Sequence, residues 1–161
     1  MKPIATCLWF EDQAEEAAKF YTAVFKHSKM LGVTRYGEAG AQASGRPKGS
    51  VMTASFQLQG HEFLALNGGP QFTFSPAISL IVNCDSQQEV DEIWQKLSEG
   101  GQPGQCGWLT DKYGVSWQIV PTILGKMLLE SDAQKSERVM SALIQMEKFD
   151  IKTLEQAALG R

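Results

Sequence analysis

Cysteine is scarce in this chain. Cys7, Cys84 and Cys106 are odd in number and far apart, with no Cys-x-x-Cys pair, which suits reduced thiols rather than a disulfide framework. Long hydrophobic runs are missing: no stretch approaches the roughly 20 apolar residues that cross a bilayer. The opening MKPIATCLWF moves straight into a strand-like pattern, without a signal peptide's apolar region and small-residue cleavage site. The cytoplasm is therefore the expected location, with no membrane partner. Basic runs are absent too, and a net charge of −3 argues against nucleic acid as a partner. What is present is ordinary: 161 residues, 43% hydrophobic and 20% charged, fit one globular domain or two small modules sharing a core.

IATCLWF (4–10) reads as a buried strand. Asp12 is the expected cap of a helix carrying Ala17, Phe20, Tyr21 and Val24 at helical spacing, with Glu15 and Glu16 where the helix dipole favours them. Residues 37–50 (GEAGAQASGRPKGS) are glycine-rich and aperiodic, so they read as a loop. VMTASFQL (51–58) and EFLAL (62–66) form a hairpin turning at Gln59-Gly60.

The pattern then restarts. AISLIVNC (77–84) is a strand, Asp85 the expected cap, SQQEVDEIWQKLSEGG a helix, and WLTD with SWQIVP a second hairpin. Laying Phe20-Tyr21 on Ile93-Trp94 pairs Thr6 with Ser79, Leu8 with Ile81, Asp12 with Asp85 and Val24 with Leu97. Laying Gly60 on Gly114 pairs Phe63 with Trp117 and Leu66 with Val120. The reading is an α+β duplication of two β-α-β-β-β modules, 1–70 and 71–121. A helical extension, 122–161, completes one structural domain. It carries amphipathic stretches at 122–130 and 133–148 and a last helix from Asp150, which must pack on the modules or on a second subunit.

"FEDQAEEAAKFYTAVF" after the first strand, "TDKYGVSWQIVP" at the close and "RVMSALIQMEKFDIKTLEQA" beyond it resemble the vicinal oxygen chelate superfamily. That superfamily includes glyoxalase I, extradiol dioxygenases and the bleomycin- and fosfomycin-resistance proteins. The chain is most similar to its PhnB-like branch, often labelled 3-demethylubiquinone-9 3-methyltransferase. The resemblance implies a curved sheet in each module and a ligand site on the concave sides. In metal-using members the ligands come from the first and last strand of each module, positions that carry over to Thr6, Leu64, Ser79 and Gln118. These supply no carboxylate and no imidazole, so neither metal nor other cofactor is expected.

Strand alternation, carried over with that pattern, places Thr6, Leu8, Glu62, Leu64, Leu66, Ser79, Ile81, Ser116, Gln118 and Val120 on the concave side. Phe63, Trp117 and Ile119 then face the helices. Glu62 is either a solvent-exposed residue at the hairpin mouth or a general base or ligand anchor. Cys106, between glycines in "GQCGW", is a candidate nucleophile with no visible partner to activate it. Trp108 either stacks on a flat ligand or packs in the core, and Asn67 either caps its turn or reaches the pocket mouth. His61 is expected to point away from the pocket. The expected function is metal-free binding of a small, partly apolar ligand by a homodimer. The alternatives are the methyltransferase of the label, for which no glycine-rich S-adenosylmethionine turn is visible, and a drug- or toxin-sequestering protein.

Overall fold

The computed structural model describes residues 3–129 and 132–160. Its contacts divide the chain into two units, Met1–Phe74 and Ser75–Arg161. The division falls a few residues beyond the expected boundary at 70, and the C-terminal helices belong to the second unit. Each unit is built on a four-stranded sheet.

The first unit runs β1 (Thr6–Phe10), α1 (Ala14–Val24), β2 (Ser28–Arg35), α2 (Glu38–Ser44), β3 (Val51–Leu58) and β4 (His61–Asn67). Its strand order is β1-β4-β3-β2, with β1 parallel to β4 and the other pairs antiparallel. The chain reverses between β3 and β4 at Gln59 (φ 48°) and Gly60 (φ 91°), the left-handed pair that a tight hairpin requires. Helix α1 buries Ala14, Ala17, Ala18, Tyr21 and Val24. The alanines bring the helix close to the sheet, and Tyr21 stacks on Phe56 (6.0 Å), which stacks on Phe63 (5.1 Å). Each such pair contributes about 0.5–1.5 kcal/mol beyond its buried area. The loop expected at 37–50 contains α2. That helix buries none of its residues, so it imposes no apolar periodicity on the sequence.

The second unit runs β5 (Leu80–Cys84), α3 (Gln87–Ser98), β6 (Gln102–Pro103), β7 (Trp108–Thr110), β8 (Ser116–Pro121), α4 (Thr122–Leu129), α5 (Ala133–Leu143) and α6 (Ile151–Leu159). Its order, β5-β8-β7-β6, repeats that of the first sheet, with β5 parallel to β8. Val90 and Leu97 of α3 are fully buried, as are Trp117 and Ile119 on the side of the sheet that the alternation turns toward the helix. Asp111 holds the hairpin turn: its carboxylate accepts the N–H groups of Tyr113 (2.9 Å) and Val115 (3.0 Å) and the Trp117 indole N–H (2.8 Å).

Helices α4 to α6 share a core of Leu124, Met127, Val139, Leu143, Phe149 and Leu154. The helix expected over 133–148 stops at Leu143, because the following segment is used for docking. The Cys106 and Gly107 N–H groups donate to the carbonyls of Met146 and Glu147, each at 2.7 Å. Gly107 (φ 77°) is required here, since a Cβ would lie 2.5 Å from the Phe149 ring. Glu130, the end of the expected helix 122–130, lies outside the described residues. No helix among the described residues is long and apolar enough to cross a membrane.

Candidate functional site

Helix ends come first, because a free helix N-terminus is a ready anion site. Neither main one is free. Asp12 was the expected cap of α1, but Gln13 holds that position without a side-chain bond. The N–H of Ala14 is instead taken by Asn67 Oδ1 (2.8 Å), reaching over from β4. At α3 the cap is Ser86 rather than Asp85: Ser86 Oγ accepts the Glu89 N–H (3.2 Å), and the Glu89 carboxylate accepts the Asp85 N–H (2.8 Å). Asp85 accepts the Thr122 hydroxyl (3.0 Å), which fastens the start of α4.

Asn67 is thereby removed from the ligand-binding set. It is 4% exposed, its amide donates to the Val51 carbonyl (3.1 Å), and its own carbonyl accepts the Tyr36 hydroxyl (2.6 Å). It joins helix, edge loop and sheet.

In the first unit the expected face is corrected by one residue. Thr6 pairs with Phe63 and Leu8 with Ala65, so both lie on the α1 side. Leu8 is 7% exposed, and Thr6 Oγ1 is hydrogen-bonded to His61 Nε2 (2.9 Å). Cys7 pairs with Leu64 and Trp9 with Leu66, so these four share the face opposite α1. The cause is a difference in linker length. Three residues, Glu11–Gln13, join β1 to α1, whereas two, Asp85 and Ser86, join β5 to α3. An alignment anchored on the helices therefore slips the first strand by one, and a slip of one exchanges the faces.

Glu62 lies on the same face as Leu64 but is exposed at the hairpin end. Desolvation raises the pKa of the Cys7 thiol above its ordinary value, so it stays protonated at neutral pH. Trp9 and Phe72 were missed by sequence reasoning. The Trp9 indole donates to the Gly69 carbonyl (2.9 Å), and the Phe72 ring meets Trp9 edge-on at 5.0 Å, with Phe72 itself 66% exposed. A Cβ at Gly68 would come within 2.2 Å of the Trp9 ring, so the glycine exists to admit the indole.

In the second unit Ile81 pairs with Gln118, and Gln118 with Trp108, forming one row on the face opposite α3. Gln118 Nε2 donates to Ser79 Oγ at 2.8 Å, half-buried. Ser116 follows on the same face, opposite Thr110, but is only 4% exposed. Ile81 is 58% exposed. Four of the expected site residues, Ser79, Ile81, Trp108 and Gln118, thus come together. Cys106 does not join them as a nucleophile. It holds a left-handed backbone (φ 56°), and its Sγ points to the Leu143 carbonyl (3.7 Å) beneath the C-terminal helices.

The donor set does not fit a divalent metal. The positions that pair across first and last strands are Cys7 with Leu64 and Ile81 with Gln118, one neutral thiol and one amide among two apolar side chains. Among the described residues no three of His, Cys, Asp or Glu gather. A doubly wound S-adenosylmethionine site does not fit either, because both strand-to-helix links lack glycine and both helix ends are internally capped.

The model of the 3-demethylubiquinone-9 3-methyltransferase family matches residues 2–120. A PhnB protein from Bacillus cereus that carries this methyltransferase name is 38% identical. The match, with a TM-score of 0.67, covers 75% of this chain and 100% of that one. A Pseudomonas aeruginosa protein is 21% identical with a TM-score of 0.61, over 75% of this chain and 98% of its own. The fosfomycin resistance protein FosX from Listeria monocytogenes is 12% identical with a TM-score of 0.50, over 75% of this chain and 93% of its own. The last two show the fold alone. No curated protein matches.

Proposed function

The chain belongs to the 3-demethylubiquinone-9 3-methyltransferase family, in the PhnB-like branch of the vicinal oxygen chelate superfamily, and from that premise we propose that it binds a small, partly apolar molecule without a metal. One observation carries this reading. The face of the second sheet opposite α3 holds a hydrogen-bonded Gln118–Ser79 pair flanked by the exposed Ile81 and the half-buried Trp108. A few oriented polar groups on an otherwise apolar surface is the composition of small-molecule sites. Binding rather than catalysis is favoured because Gln118, Ser79 and Trp108 offer no general base, and the Cys106 thiol is turned to the Leu143 carbonyl instead. The methyltransferase chemistry of the family's name draws no support from the strand-to-helix links. The reading includes a homodimer, supported by exposed Leu31 and Val33 on the edge strand β2.

Thermal unfolding with S-adenosylmethionine, quinones, phosphonates, glutathione adducts and aromatic antibiotics tests it. The expected result is a raised Tm with flat apolar compounds that Gln118→Ala abolishes. A rise with S-adenosylmethionine alone would overturn it in favour of methyl transfer, and no rise with any flat apolar compound would overturn it outright.

A further inference from the structure

Charge is distributed unevenly between the two sheets. The chain has 15 Lys and Arg and 18 Asp and Glu. The first sheet carries Lys29, Arg35 and Glu62 on its strands. The strands of the second sheet, LIVNC, QP, WLT and SWQIVP, carry no ionisable side chain except Cys84, which is buried.

The polar atoms that do face away from α3 are neutral and incompletely used. One N–H of Gln118 is spent on Ser79 Oγ. The amide oxygen, the second amide N–H and the Trp108 indole N–H have no partner among the described residues. An amide and an indole together present one acceptor and two donors with no net charge. A charged ligand laid on this half-buried surface would lose hydration without gaining a counter-ion, whereas a carbonyl or hydroxyl oxygen would be satisfied. Ile81 and the Trp108 ring supply the apolar platform beside them. The far end of the same face is walled, since Val120 packs against the Leu124–Met127–Phe149 core of α4 to α6. That wall lies beyond residues 2–120, the part matched by the family.

We infer that this face selects a neutral, flat, apolar ligand bearing a carbonyl or hydroxyl oxygen, with Gln118 and Trp108 as its polar contacts. The inference rests on the proposed binding function and names its ligand class. Three probes sharing one ring system test it: 2-naphthamide (neutral), 2-naphthoate (anionic) and 2-naphthylmethylammonium (cationic). Each is titrated by isothermal calorimetry while the four indole N–H signals of the protein are followed by NMR, with the Trp108 signal assigned through Trp108→Phe. The expected result is that 2-naphthamide shifts the Trp108 signal and binds at least about tenfold more tightly than either ion. Gln118→Ala and Ser79→Ala, each confirmed folded by its NMR spectrum, should weaken it about five- to tenfold, the scale of one hydrogen bond. Tighter binding of either ion at the same signal would overturn the neutral class and leave the binding function standing. If no probe moves the Trp108 signal, both are overturned.

Discussion

Replacing Asp111 by alanine should be among the most damaging single changes in the second unit. The side chain is 3% exposed and accepts at least three hydrogen bonds, from the N–H groups of Tyr113 and Val115 and from the Trp117 indole. Hydrogen bonds to a charged group are worth about 1.5–3 kcal/mol each, but three that share one carboxylate do not add. Deleting one partner of a buried charged network costs about 3–5 kcal/mol, because the remaining groups stay buried and unpaired. The Val115 N–H and the Trp117 indole N–H would lose this acceptor in residues only 3% and 2% exposed. With total stability in the range of about 5–15 kcal/mol, that is about a fifth or more of what holds the fold. Urea unfolding followed by tryptophan fluorescence should show the midpoint falling by roughly 2 M, taking a slope of about 2 kcal/mol/M. Asp111→Asn keeps the shape and one acceptor, so it should lose about half as much. A loss below about 1 kcal/mol in Asp111→Ala would refute the claim that this carboxylate organises the hairpin.

Asn67→Ala should destabilise by about 2–3 kcal/mol, since it removes the acceptor of the Ala14 N–H at the start of α1 and the amide that donates to the Val51 carbonyl; Asn67→Asp, keeping only the acceptor, should recover part of this in the same urea assay. Gly68→Ala should displace the Trp9 indole, seen as a shifted Trp9 NMR signal with most of the remaining spectrum unchanged. Cys84 has its thiol pKa raised from 9.0 to about 11, chiefly by burial and further by Glu89 and Asp85. A raised folded pKa contributes stability that is whole below pH 9 and lost as pH rises toward 11, so unfolding free energy should fall across that window by roughly 2–3 kcal/mol. Cys84→Ala should flatten the slope. On the acid side, hydrogen bonds lower the pKa of Asp91 (from Lys148 first) and Asp150 (from Thr153 first), so the contribution of both is present above pH 4 and lost below it.

The parts of the fold legible in the sequence are those in which local pattern and tertiary need agree. Tyr21 and Val24 sit at helical spacing because α1 has one buried face, and Gly60 and Gly114 mark hairpins because each adopts a φ that other residues avoid. The shared face of Ile81 and Gln118 followed from alternation within the second module, whereas the place of Trp108 beside Gln118 came from the strand register. What was not legible depends on lengths and distant partners. The face of Thr6 and Leu8 turned on one extra residue between β1 and α1, which no periodicity records. The role of Asn67 depends on Ala14 and Tyr36, far away in sequence. Helix α2 buries nothing, so its residues carry no trace of a core. The end of α5 at Leu143 is set by Cys106 and Gly107, which take the carbonyls of Met146 and Glu147.

A crystal structure of the protein grown with 2-naphthamide tests the central claim most directly. The account predicts ligand density on the second sheet's face opposite α3, its oxygen within hydrogen-bonding distance of Gln118 or the Trp108 indole and its ring against Ile81. Density only elsewhere on the molecule, with this face bare, would contradict it.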